Sequence, residues 1–478
     1  MNQPLKFTLL SSLLLGGCAA VGPEYNGSPD LPVKENASFP HAVDNGKGAI
    51  YQHQESIDAW WQQLQDETLN KLITKAIVNN TDLRVALANV MAARSLLTES
   101  EVALQPGITT SGSIEASRRS SVVAGSPDQA LDDNIITSAS IGLNWELDVF
   151  GRIKRSIEAA EANINYTAAL HDDVKRIVIA DVTRAYIDLR GAQVRREVID
   201  RNIKNQLSTL ELTILMYEEG MVSELDAVRA RAQLRTTEAL LPTLISNEVS
   251  AENRLALLCG AAPQQLDIDL GKTTGLPSLP AFLPVGDAGM LIRRRPDIRA
   301  AESMLAGLTA RVGIETADLF PTVSFGAGFG LSADQPNNLG ESGALNYSIG
   351  PGINWNLFNR EAIRARIRQA QANVDAQLAR YDGVVLKALS EVDTALIRHI
   401  KERDRSAALQ ESTIASREAV ELVRIRYNAG VESFLAVLDA ERTQLNAEQQ
   451  SAFSEIELAQ SLIRVYRALG GGWEDADQ

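Results

Sequence analysis

The chain has 478 residues, 45% of them apolar and only 5% aromatic, which is enough for a sizeable core of alanine- and leucine-rich helices. Its formal charge of -15 argues against nucleic acid as a partner, because phosphate binding needs a basic surface. The four histidines (His41, His53, His171, His399) are far apart, and HExxH, CxxC and GxSxG patterns are absent. Neither a cofactor, nor a metal, nor an enzymatic constellation is therefore expected.

In chain order, residues 1–17 carry one cation, Lys6, then an apolar run from Phe7 to Leu15, and read as a secretory signal too short to span a bilayer permanently. The run ends in Leu15-Gly16-Gly17-Cys18, which resembles a bacterial lipobox and makes Cys18 the expected site of a covalent lipid. Ala19 rather than Asp follows, which in similar lipoproteins favours transfer to the outer membrane. Loss of the signal takes the side-chain charge from -15 to -16. Residues 18–56, with Pro23, Pro29, Pro32 and Pro40, read as an extended tether. No later stretch reaches 18 consecutive apolar residues, so a membrane crossing by the mature chain needs a closed β-barrel.

Order is expected from Trp60-Trp61, with Leu64, Leu69, Leu72, Ile73 and Ala76 at helical spacing. A helix from about 81 to 104, capped by Thr81 or Asp82, ends at Pro106. The period then changes to two over 107–117 and 135–147, placing Ile135, Ala139, Ile141, Leu143, Trp145 and Leu147 on one face. A very long helix follows over 151–218, interrupted only by Gly191. Its seam runs through Ile153, Ile157, Ala160, Ile164, Val178, Val182, Ala185 and Leu189. Roughly 67 residues at ~1.5 Å each give about 100 Å, a length suited to crossing a compartment. A tip turn at 217–226, with Gly220 at its apex, leads to a return helix from Ser223 to Leu258; Cys259 at its end reads as a small core residue. Residues 262–290, rich in proline, read as a linker, and Arg293–Arg295 before Pro296-Asp297 as a solvated helix start.

The second half repeats the first. A hairpin at 322–357 alternates Val323, Phe325, Ala327, Phe329 and Leu331 with Thr322, Ser324 and three glycines, and Leu345, Tyr347, Ile349, Ile353, Trp355 and Leu357 with polar or small residues. A long helix at 361–428, a tip turn at 427–436 around Gly430 and Ser433, and a return helix to 469 follow, before an acidic tail at 472–478. At a constant offset of 210, Trp145 matches Trp355, Tyr217 matches Tyr427, Gly220 matches Gly430, Ser223 matches Ser433 and Gly260 matches Gly470. The repeats thus divide into 57–261 and 291–471. Two hairpins supply four strands, a membrane barrel needs about eight or more, and open edges in lipid are forbidden, so the chain is expected to oligomerise.

LGGC followed by VGPEY, WWQQLQDETLNKLITKAIVNNTDLRVALANVMAARS, RRRPDIRAAE, LNWELDVFGR and YNAGVESFLAVLDAER together resemble the TolC-like outer-membrane factors, in their lipoprotein branch. The resemblance implies a mainly α fold with a membrane β-barrel. It implies a homotrimer whose twelve-stranded outer-membrane barrel continues into a twelve-helix periplasmic tunnel. It further implies a passive exit duct that docks a periplasmic adaptor and an inner-membrane transporter at the tips marked by Gly220, Gly430, Ser223 and Ser433. For the periplasmic gate it implies Asp439 as the constriction carboxylate, Leu435 one turn away, Arg442 in the same network, and Tyr427 bonded to Asp226. The chain departs from some relatives at Ala436, in place of a second ring aspartate, and at Glu432, where an arginine link can occur. Trp145 and Trp355 stand as membrane-interface aromatics. A type I protein-secretion channel and a poreless coiled-coil scaffold lipoprotein are the competing readings.

Overall fold

The computed structural model describes residues 20–27, 51–52, 59–118, 120, 122, 133–271, 275–285 and 288–473. Cys18, the signal segment, most of the tether and the residues after 473 lie outside them. In chain order come β1 (Tyr51–Gln52), a short 3-10 helix (Trp60–Leu64), α1 (Glu67–Asn79), α2 (Thr81–Val102), β2 (Gly107–Ser117) and β3 (Asn134–Leu147). Then follow α3 (Arg152–Glu218), α4 (Glu224–Glu238), α5 (Leu241–Leu258), β4 (Leu283–Pro284), α6 (Ala288–Arg294) and α7 (Pro296–Ala317). The chain continues through β5 (Thr322–Ala333), β6 (Leu345–Asn354), α8 (Arg360–Asn428) and α9 (Phe434–Ala468). Two compact units result, one of residues 1–29, 90–167 and 301–381, the other of 30–89, 168–300 and 382–478.

The first unit holds a four-stranded antiparallel sheet ordered β2-β3-β5-β6. The two hairpins are thus fused through β3 and β5, from Thr137 opposite Ala333 to Leu147 opposite Val323. The second hairpin closes at Asn354, three residues before the expected end, so Trp355 and Leu357 lie beyond the ladder. Asp148 caps α3, its two oxygens accepting from the Ile153 and Lys154 amides at 2.9 and 2.8 Å.

The second unit holds the densest packing. The sequence suggests a one-sided seam for α3, yet Val178, Ile179, Val182, Ala185, Tyr186, Ile187 and Leu189 are all at most 3% exposed, so this stretch is wrapped on most sides and leaves only a narrow stripe through Arg184 and Asp188 exposed. Part of the wrapping comes from the segment expected to be a mere linker. The Leu270 carbonyl accepts from Arg190 Nη1 at 3.3 Å and Gln193 Nε2 at 2.9 Å, while β4 pairs in parallel with β1 and α6 begins at Ala288. Trp60 stacks on Tyr466 at 4.8 Å between ring centroids, and the Tyr466 hydroxyl donates to Gln63.

Four local expectations are corrected here. The cap of α2 is Asn80, not Thr81 or Asp82: Asn80 Oδ1 accepts from the Asp82 and Leu83 amides at 2.9 and 3.2 Å, while its Nδ2 donates to the Leu258 carbonyl. The amide of Asn80 has a separate acceptor and donor, so it can cap one helix and tie down the end of another, whereas an ionised aspartate only accepts. Asn80→Ala should therefore lower stability by about 1–2 kcal/mol, measured as an earlier unfolding midpoint in urea. The return helix of the first repeat is broken at 239–240, because Pro242 lacks an amide proton and its ring clashes with the preceding turn. Its counterpart in the second repeat is Ala452, and α9 runs unbroken. The helix running from about residue 60 is likewise split, with Asp66 capping α1 through the Leu69 amide. Finally, Arg295 is no solvated charge. It is 2% exposed and bonds Asp297, Glu391 and the Ala468 carbonyl, linking the start of α7 to α8 and to the end of α9. Cys259 is buried with its thiol against the Leu72 carbonyl, and burial pushes that thiol up to about 11.

Candidate functional site: the two helix tips and a two-faced sheet

Each tip follows from one glycine. At Gly220 φ is +72°, at Gly430 +73°, a left-handed conformation that an L side chain resists. Both turns close with the same pair of bonds: Gly220 N–H to the Tyr217 carbonyl and Met221 N–H to Met216, matched by Gly430 to Tyr427 and Val431 to Arg426, all 2.8–3.0 Å. Ser223 and Ser433 then start α4 and α9 as N-caps.

Beyond that shared frame the tips differ. The third helical position is Asp226 in α4, whose Oδ2 accepts from the Ser223 hydroxyl at 2.9 Å and amide at 3.4 Å, a reciprocal cap. The equivalent in α9 is Ala436, which cannot close such a cap. Tyr217 is 43% exposed, whereas Tyr427 is buried against Phe434, Leu210, Leu234 and Leu438. Tyr427 was expected to bond Asp226. Its hydroxyl instead donates to Met216 Sδ at 3.6 Å, and burial together with the nearby Asp226 carboxylate raises its pKa. Asp226 is already engaged at its own helix start and faces Arg229 at 3.8 Å.

Glu432 accepts from Arg426 Nε at 3.4 Å. Asp439 and Arg442 are exposed, and among the described residues neither side chain has an ion-pair partner, so the two do not pair with each other along α9. Leu435 is 57% exposed, in company with Val431, Met221 and Leu225. The turns thus present unpartnered charge and unpartnered apolar surface side by side.

Sequence reading missed two carboxylates on the inner side of α9. Glu441 accepts from Arg424 of α8 at 2.6 Å and Thr209 of α3 at 3.0 Å. Glu448 accepts from Arg417 of α8 at 2.7 Å and Asn202 of α3 at 2.8 Å. Their signal was available: both sit in the apolar stripe of Leu438 and Leu445, seven residues apart, where a solvated glutamate does not belong.

The sheet has two chemically distinct faces. Cross-strand partners on one side are Ile141 with Phe329, Leu143 with Ala327, Val323 with Ile353, Ala327 with Ile349 and Phe329 with Tyr347. On the other side Ser111 meets Ser140 and Ser113 meets Ser138, each hydroxyl pair at 2.8 Å, while Gly326, Gly328 and Gly330 face Gly350, Ser348 and Asn346. The indoles of Trp145 and Trp355 donate to the carbonyls of Leu104 and Leu319, at 2.8 and 3.0 Å, equivalent contacts in the two repeats. Among the described residues β2 and β6 have no further strand partner, no helix is long and apolar enough to cross a membrane, and no side-chain group could hold a metal ion.

A model of the outer membrane efflux protein family matches residues 72–261 and 288–471. The chain is 30% identical over 464 residues to Nodulation protein T of Rhizobium leguminosarum bv. trifolii, covering 97% of this chain and 96% of that one. It is 28% identical over 492 residues to the antibiotic efflux pump outer membrane protein ArpC of Pseudomonas putida, covering 99% and 96%. Among solved structures, the outer-membrane channel OprN superposes with a TM-score of 0.85 at 38% identity, over 95% of this chain and 99% of that one. The open state of the MtrE outer membrane channel of Neisseria gonorrhoeae gives 0.81 at 26% identity, over 96% and 100%.

Proposed function

The chain belongs to the outer membrane efflux protein family, and on that premise we propose that it is the exit duct of a tripartite pump, closed at its periplasmic tips by a gate. It is an outer-membrane efflux channel with the fold of the trimeric TolC-like channels, mainly α, internally duplicated, with a membrane β-barrel continuing into a periplasmic α-barrel. The observation that carries the reading is the sheet. One face is mostly apolar and suits lipid; the other is lined mainly by hydroxyls, amides, bare glycine backbone and two carboxylates, Glu115 and Glu146, with Ile136 as its single apolar side chain among the paired strand residues, and suits a water-filled lumen. Four strands with two open edges cannot stand alone in a bilayer, whereas three copies close a barrel of twelve.

The finer parts of the proposal rest on residues. Lipid on Cys18 anchors the chain, as the Leu-Gly-Gly-Cys pattern suggests. Trp145 and Trp355, at the helix-side end of the sheet, mark the periplasmic membrane interface. The tips at Gly220 and Gly430, with exposed Met221, Leu225, Val431 and Leu435, meet the periplasmic adaptor, which links the duct to an inner-membrane transporter. Leu435, Asp439 and Arg442 form the gate, with Tyr427, Asp226 and Glu432 setting its frame. Cargo passes passively and consists of small solutes, since relatives of this chain are named for antibiotic and toluene efflux. The test is conductance: purified protein in planar bilayers should give discrete small steps, and deletion of the gene should sensitise cells to one or more toxic small molecules. A membrane-inserted protein that gives no steps would refute the channel and favour the scaffold.

A further inference from the structure

Residues 20–27 do not hang free but lie against the first unit. The Val21 amide donates to the Phe150 carbonyl at 3.1 Å. Arg155, in the first turn of α3 and 3% exposed, donates from Nε to the Val21 carbonyl at 3.2 Å and from Nη2 to the Gly22 carbonyl at 3.4 Å. Its other nitrogen holds Glu158 at 2.6 Å, and Glu24 stands 3.8 Å away. The Tyr25 hydroxyl donates to Glu302 of α7 at 3.2 Å. Gly22 backs directly onto α7: a Cβ there would come within 2.5 Å of the Gly313 Cα, and a Cβ on Gly313 would strike the Arg155 side chain at 2.8 Å.

The seat of this segment is therefore built from α3 and α7 together. Those helices lead into the sheet's central pair, because α3 starts five residues after β3 ends and α7 ends five residues before β5 begins. A guanidinium this buried is costly unless its protons are taken up, and two backbone carbonyls of Val21 and Gly22 take them. We infer that Val21–Tyr25 is a strap fastening α3 to α7 at the base of β3 and β5, with Arg155 as its positioning residue, and that this fastening, separately from any lipid on Cys18, is required for stable trimer assembly. The inference rests on reading the sheet as one third of a barrel.

The test uses full-length protein in outer membranes. Three variants are compared: Gly22→Val, which cannot seat against Gly313; Arg155→Met, which keeps the bulk but removes the donors; and Cys18→Ser, exported by a cleavable signal, which removes the lipid alone. Incorporation of labelled palmitate reports lipidation, heat-resistant trimer on gels reports assembly, and hydrogen exchange over residues 150–158 reports the seat. Gly22→Val and Arg155→Met should keep the label, lose at least half of the heat-resistant trimer, and exchange the first turn of α3 roughly tenfold faster or more. Cys18→Ser should lose the label and keep protected exchange at 150–158. Normal trimers and normal exchange in Gly22→Val and Arg155→Met would overturn the strap. Loss of trimer only in Cys18→Ser would overturn it too, by assigning assembly to the lipid. A wild-type chain without label would refute lipidation and leave the strap to be judged on the other two variants.

Discussion

Asp439→Ala combined with Tyr427→Phe should raise the single-channel conductance several-fold over wild type, with trimers intact. Asp439 and Arg442 are exposed and, among the described residues of one protomer, without an ion-pair partner, which leaves both free to meet charges of a neighbouring copy. Three aspartates brought near one axis repel, and a closed tip then needs a counter-charge or a bound cation between them. Arg442, three residues further on the same helix, can supply that charge to a neighbouring copy. Removing Asp439 removes the acceptor, and the arginines left behind repel in turn. Tyr427 acts differently. Phenylalanine keeps the packing on Phe434 and Leu438 but drops the hydroxyl contact to Met216, loosening α8 against the end of α3. Tyr427→Phe alone should give a smaller increase, and the same currents from wild type and the double variant would sink the gate. Added millimolar divalent cation should lower wild-type conductance and leave the Asp439→Ala channel unaffected.

The local rules read well from sequence, and their failures have physical causes. Period-two alternation located β2, β3 and β5 to within a residue, because a sheet with one apolar face writes itself into the chain directly. The tip glycines were legible for a similar reason: only one residue type is comfortable at φ near +72°. Pro242 marks the break in the return helix but is masked in the sequence, since the apolar steps of α4 and α5 continue across it. What sequence could not show is where distant polar groups meet. Nothing local tells that Arg190 reaches the Leu270 carbonyl, or that Arg295 closes on Glu391 and Ala468 instead of facing water. The same holds for Tyr427, which has Met216 and Asp226 both nearby and bonds the one that is not already engaged.

Glu448→Ala should be the most destabilising single change in the helical part, at about 3 kcal/mol, the low end for breaking a buried ion pair. The side chain is 1% exposed and gathers Arg417 Nε at 2.7 Å, Asn202 Nδ2 at 2.8 Å, Gln444 Nε2 at 3.2 Å and Arg201 Nη2 at 3.4 Å. The low end applies because Arg417 and Arg201 are each 51% exposed and can return to water, while Asn202 Nδ2 loses one of its two acceptors and keeps the Val198 carbonyl at 2.8 Å. Glu441→Ala should cost less, since one of its oxygens is buried without any donor and its loss relieves that penalty. Acid separates the two effects. Burial alone would raise the Glu448 carboxyl, but the bonds from Arg417, Asn202 and Gln444 and the charge of Arg201 prevail and hold it below the usual glutamate range. A depressed folded pKa stabilises above the unfolded value of about 4.3 and is lost as pH falls through the folded value. The heat-dissociation temperature of wild-type trimers should therefore exceed that of Glu448→Gln at pH 7, with the gap closing only below about pH 4.3. A gap that already closes near pH 6 would mean that Glu448 does not carry the charge that ties α9 to α3 and α8.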